Sequence, residues 1–171
     1  MPLQTKLDIG IAGKQSGNLS LGGQREANIA KRYAVTLADG ILAGQADRIW
    51  ATTVAALAAS GTTDHDLSGT LPDPLLGTAS FARIKGIIVA AYAANTNNVV
   101  VGAAATNPWI GLLGATHTVT LRPGAVFCAL AGQADLVGYP VVAGTGDLLR
   151  ITNGGAGSAV GYDIAVIGCS A

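Results

Sequence analysis

"ARIKGIIVAAYAANTNNVVVGAA", residues 82–104, is the stretch on which the reading of this chain turns. After Lys85 no charged side chain occurs until Arg122. The segment therefore reads either as a membrane span or as two strands packed in a dry layer. A spanning helix needs about 20 mostly apolar residues. Gly86 to Ala94 supplies nine before Asn95, Thr96, Asn97 and Asn98 interrupt with three amides and a hydroxyl. Burying those amides in lipid costs several kcal/mol, so the span reading fails. Residues 81–92 are rich in β-branched and aromatic types, 99–101 are three valines, and the Asn-rich tetrad between them is turn chemistry. A hairpin is the expectation. Alternation sets Ile84, Ile88 and Tyr92 on one face and Phe81, Arg83, Lys85, Ile87 and Val89 on the other, both largely covered.

The pattern continues outward. From Arg48 onward about eight short apolar runs alternate with turn clusters, as in all-β domains. "HTVTL" (117–121) passes through "RPG" into "AVFCAL" (125–130), which reads as a tight hairpin turned by Pro123 and Gly124. The last run, "AVGYDIAVIG" (159–168), places Val160, Tyr162, Ile164 and Val166 on one face and Asp163 on the other. Residues 51–59, "ATTVAALAA", suit a helix by their alanines and a strand by "TTV". The expected fold is all-β: a jelly-roll-like antiparallel β-sandwich of about eight strands over residues 48–171.

Residues 1–47 differ. "GIAGKQSGNLSLGGQREANIAKRY" is rich in Gly, Gln and Asn and cannot make its own core. It is expected to be an extended N-terminal arm or docking segment, either flexible or ordered by lying across neighbouring subunits. A short helix is expected around Gln24–Tyr33, and 34–44 suits an extra strand or a docking segment. "MPLQTKLDIG" has no apolar core, so no signal peptide is expected.

Composition narrows the function. Half the residues are apolar, 12% are charged, and acidic and basic residues number ten each. No global field steers such a chain to nucleic acid or anionic lipid. So much small apolar surface with so little charge implies burial against other subunits. Cys128 and Cys169 each lie in an apolar run and read as buried small hydrophobes before they read as a disulfide.

Chemical motifs are sparse. "AGKQSG" (12–17) lacks the first glycine and the hydroxyl of a phosphate loop. "DHD" (Asp64, His65, Asp66) offers metal-ligand types, but in an extended loop only Asp64 and Asp66 converge, and no fourth ligand is evident. No Ser lies in a nucleophile elbow, and nothing singles out a catalytic carboxylate pair. No catalytic residue, metal or other cofactor is expected. Partner contacts are expected in the arm, at Lys14, Arg25, Lys31, Arg32 and Tyr33. A further one is expected at Trp109, in the Pro-containing "NPW" loop.

Three stretches carry a family resemblance: "FARIKGIIVAAYAANTNNVVVGAA", "TVTLRPGAVFCALA" and "GYPVVAGTGDLLRITNGGAGSAVGYDIAVIG". Together they resemble small virion structural proteins of tailed bacteriophages, over about residues 45–171. Within that setting the chain looks like a capsid decoration or cement protein. The resemblance implies a protein made in the host cytoplasm and bound to the outer surface of the capsid. There a dimer or trimer would clamp adjacent copies of the major capsid protein, with no role for nucleic acid or membrane. The alternative is a tail or fibre adhesion module that binds host glycan, with Trp109 and "TTDHD" (62–66) as its candidate contacts.

Overall fold

The computed structural model describes residues 2–18, 20–75 and 77–171. It is all-β. Two long strands, β1 (Thr5–Asn18) and β2 (Gln24–Asp39), are followed by the two-residue β3 (Gln45–Ala46). Then come β4 (Arg48–Leu57), β5 (Thr62–Asp66), β6 (Leu71–Pro72) and β7 (Thr78–Ala79). β8 (Arg83–Ala91), β9 (Val99–Gly102), β10 (Thr118–Leu121) and β11 (Val126–Leu130) form the middle of the chain. β12 (Tyr139–Pro140), β13 (Leu148–Asn153) and β14 (Val160–Cys169) end it.

Two sheets make the sandwich. One has the order β10-β9-β13-β5, and the other β11-β8-β14-β4, with β12 also paired to β8. All pairings within them are antiparallel, and four of them nest: β4 with β14, β5 with β13, β8 with β11, β9 with β10. Their inner faces meet in one core, where Trp50, Ile84, Ile87, Val89, Tyr162 and Ile164 oppose Val99, Val101, Leu121, Leu149 and Ile151. The small ribbon β6–β7 adds Leu71 and Ala79 to it.

The opening stretch is strand throughout its two apolar runs, but it is not a hairpin. β8 and β9 belong to different sheets, so Asn95–Asn98 carry the chain across the edge of the sandwich. "RPG" likewise joins β10 of one sheet to β11 of the other. A turn sequence specifies reversal without specifying whether the returning strand pairs with its neighbour or opposes it across the core.

The expected alternation of β8 also breaks. Ile167 pairs with Gly86 and Gly168 with Ile84, leaving Lys85 as an extra, bulged residue. Ile84, Ile87, Val89 and Ala91 therefore all face the core, while Ile88 faces out. Lys85 is 1% exposed, and its ammonium donates to the Asp135 carbonyl in the loop after β11. Residues 51–57 belong to strand β4, whose register on β14 shifts between Val160 and Tyr162. Val160, Tyr162, Ile164 and Val166 are buried together, as their alternation predicts.

The tetrad's amides are latches. Asn95 accepts from the Gly161 N–H at 2.8 Å and donates to its carbonyl at 2.9 Å. Asn97 donates to the Asn153 side-chain oxygen at 3.1 Å and the Ser158 carbonyl at 2.9 Å. Asn153, 2% exposed, reaches the carbonyls of Leu57, Ala58 and Ser158 at 3.2, 3.0 and 2.8 Å. Three connections are thereby tied to one buried amide. Truncating it strands several buried polar groups, each costly to leave unpaired. Asn153→Ala should lower the unfolding free energy by about 3 kcal/mol, read as a lower denaturant midpoint with an unchanged slope.

Candidate functional site

The two outer faces of the sandwich are chemically unlike. On the β10-β9-β13-β5 sheet, one outward row is Asp64 beside Arg150, and the next is Thr62, Thr152, Val100 and Thr120. Arg150 donates two hydrogen bonds of 2.7 Å to Asp64, and its guanidinium holds that carboxyl below the usual carboxylate range. This is an ordinary solvated face.

The outward face of the β11-β8-β14-β4 sheet is apolar in three successive rows. Pairing registers place Ile49, Ile167, Gly86 and Leu130 in the first row, and Ala51, Ala165, Ile88 and Cys128 in the second. The third is Thr53, Asp163, Ala90 and Val126. Asp163 is the one charge among these twelve residues. It accepts from the Thr53 hydroxyl at 2.6 Å and from the Tyr92 hydroxyl at 3.2 Å. Small side chains leave a shallow depression between the second and third rows, lined by Ala51, Thr53, Ile88, Asp163 and Ala165.

The arm covers only the first row. β1 and β2 pair antiparallel from Thr5–Leu37 to Asn18–Gln24, so residues 24–33, expected to be helical, are strand. Their side chains alternate on a two-stranded ribbon, which a helix would not allow. Residues 34–39 continue β2, and β3 adds a short parallel strand beside its end. Leu37, Ala46 and Ile167 form a small cluster joined by Leu3, Leu7 and Val35. Gly86 permits this seat, because a Cβ there would lie 2.6 Å from a Leu7 methyl and 3.1 Å from Ile167. Beyond it the hairpin stands free, and residues 8–18 and 24–34 are all exposed.

The free hairpin has two faces. One carries Ile9 with Tyr33, Ile11 with Lys31, Gly13 with Ile29 and Gly17 with Arg25, continuing the face that begins with Leu7 and Val35. Ile11, Ile29 and Tyr33 are 70%, 62% and 69% exposed. The other face carries Lys6, Asp8, Arg32, Lys14 and Glu26, whose charges pair among themselves. The Arg32 guanidinium holds the Asp8 carboxyl below its ordinary range. The predicted contact residues thus divide. Lys14 and Arg32 lie on the ion-paired face, whereas Arg25, Lys31 and Tyr33 lie on the apolar face, and among the described residues no salt bridge engages Arg25 or Lys31.

Trp109 corrects an expectation. It is 5% exposed and donates through Nε1 to the Pro140 carbonyl at 2.8 Å, so it packs inside rather than meeting a partner. "DHD" lies in strand β5 rather than in the expected extended loop: Asp64 faces out to Arg150 and Asp66 binds Ser68. His65 faces in, 3.0 Å from the Tyr162 hydroxyl and with its ring centroid 4.9 Å from that of Trp50, the planes tilted by 55°. Among the described residues no group of three His, Cys, Asp or Glu could hold a metal ion. Both cysteines are free; Cys169 is buried, and burial pushes the Cys128 thiol pKa up.

No protein-family model, curated protein or solved structure matches the chain.

Two outcomes check this description. Burial holds the His65 imidazole below its ordinary pKa of 6.5. The unfolded chain therefore takes up that proton first, and stability, full above pH 6.5, falls as the pH drops toward the folded value. His65→Gln should flatten the decline in melting temperature between about pH 7 and pH 5. Gly86→Val should push Leu7 off its seat. Faster amide exchange in β1 and β2, with little change in the β13 amides, is the expected signature.

Proposed function

We propose that this chain is a virion structural protein of the decoration or cement type. It would bind the major capsid protein on the outer surface of the phage head and stabilise the assembled shell. The three stretches that resemble virion structural proteins support the setting. The observation that carries the role is the continuous apolar surface formed by one outer sheet face and one face of the arm. Such a surface suits broad association with another protein. The nested strand pairing is read as the wrap of a jelly roll, a compact block from which the arm projects.

The arm is the natural clamp. A two-stranded ribbon is marginal in water unless its apolar face is covered. Its strand edges also offer backbone groups to a neighbouring strand. Repetition over a lattice then raises the strength of each weak contact. The glycan-binding alternative has less to stand on, since Trp109 is buried and Asp64 and His65 are engaged internally.

The test is the copy number per virion, by quantitative mass spectrometry against the major shell protein. A count comparable to that of the shell protein is expected, together with earlier loss of DNA on heating when the protein is absent. A few copies per particle, or none, would sink the reading.

A further inference from the structure

We propose that the free apolar face of the arm is an intersubunit clasp. In this arrangement Ile29 of one copy lies over Ala165 on the outer sheet face of a second copy, and Lys31 lies against Asp163. The inference deepens the reading above, sharing its expectation of an oligomer, but requires no shell.

Four observations favour a second copy as the occupant. First, the chemistry is already matched within one chain: Leu7 and Val35 of this arm face pack with Ile167 in the first row of this sheet face. The remaining rows offer the same surface, and the remaining arm offers the same side chains. Second, the charges complement one another. Lys31 and Arg25 are the only charged residues on the arm's apolar face, and Asp163 is the only one in the three outer rows of the sheet.

Third, the spacings agree. Ile29 and Lys31 are two residues apart on one strand face, as are Ala165 and Asp163, so both pairs span about 7 Å. Ile29 stands opposite Gly13, which leaves its side chain unobstructed above the depression beside Ala165. Fourth, the reach is sufficient. The eleven residues from Asp8 to Asn18 extend about 37 Å, comparable to the ten residues of β14. An arm of this length spans a neighbouring sheet, and in its own chain it leaves the sandwich beyond the first row, with residues 8–18 and 24–34 exposed.

Sedimentation equilibrium of the purified full-length chain, with no shell present, tests the clasp. The wild type should associate. Lys31→Glu, an exposed change that breaks no side-chain hydrogen bond or salt bridge among the described residues, should weaken association about tenfold, and Asp163→Lys should do the same. The two together should restore it to within a few-fold of wild type. Asn28→Glu, on the opposite face of the arm, should leave it unchanged. A wild type that stays monomeric at about 100 µM overturns the clasp while leaving the cement reading intact. It is equally overturned if Lys31→Glu has no effect, if Asn28→Glu weakens association as much, or if the double variant fails to recover.

Discussion

Strand β14 gives apolar contact on both of its faces, and this constraint governs the rest of the structure. Its inner residues Val160, Tyr162, Ile164 and Val166 fill the core, while Ile167 on the outer side receives Leu37 and the arm base. A sheet with two apolar faces gains stability from each part of them that is covered. The first outer row is covered by the chain's own hairpin, through a seat that depends on Gly86 having no side chain. The second and third rows lie beyond the reach of that seat and are not covered by the chain's own arm. The same logic explains why the opposite sheet is unremarkable outside: its threonines and the Asp64–Arg150 pair are satisfied by water and by each other.

Rigidity at the far end comes from amides rather than from apolar bulk. Asn95, Asn97 and Asn153 bind backbone groups of connections that are remote in sequence, so the loops between the sheets are fixed in position. In a small-residue core with few aromatics, such polar ties supply the specificity that packing alone gives weakly. Trp50, His65 and Tyr162 form the one cluster of large rings, and it joins β4, β5 and β14 across the two sheets.

Much of this was legible in the sequence. The strand runs over residues 81–92, 99–101 and 159–168 and the faces of β14 follow from period-two alternation and residue type. Partner choice between strands did not follow. "NTNN" and "RPG" announce reversals, but crossing to the opposite sheet is decided by which apolar faces meet, and that is a long-range matter. The bulge at Lys85 was hidden because a single inserted residue leaves composition unchanged while shifting every later side chain. Trp109 was misjudged for a related reason: its loop looks exposed until Pro140 arrives from 31 residues away to accept its N–H. The arm's hairpin did leave a signal. Leu7, Ile9 and Ile11, then Ile29, Tyr33, Val35 and Leu37, all stand at even spacings, though glycines and cations among them obscure the stripe.

The nested pairing has a temporal side. The innermost pair, β9 with β10, joins Val99 to Leu121 across 22 residues, whereas the outermost, β4 with β14, joins Arg48 to Gly168 across 120. Loop-closure entropy favours the short closure first, so the sandwich zips from its middle outward. The strand that seals both β4 and β8 comes after every other strand of the sandwich in chain order. A chain stopped short of Val160 exposes the flanks of both strands and has no final strand to cover them. The presence of β14 therefore decides whether the molecule finishes as a sandwich or as a pair of open, adhesive edges.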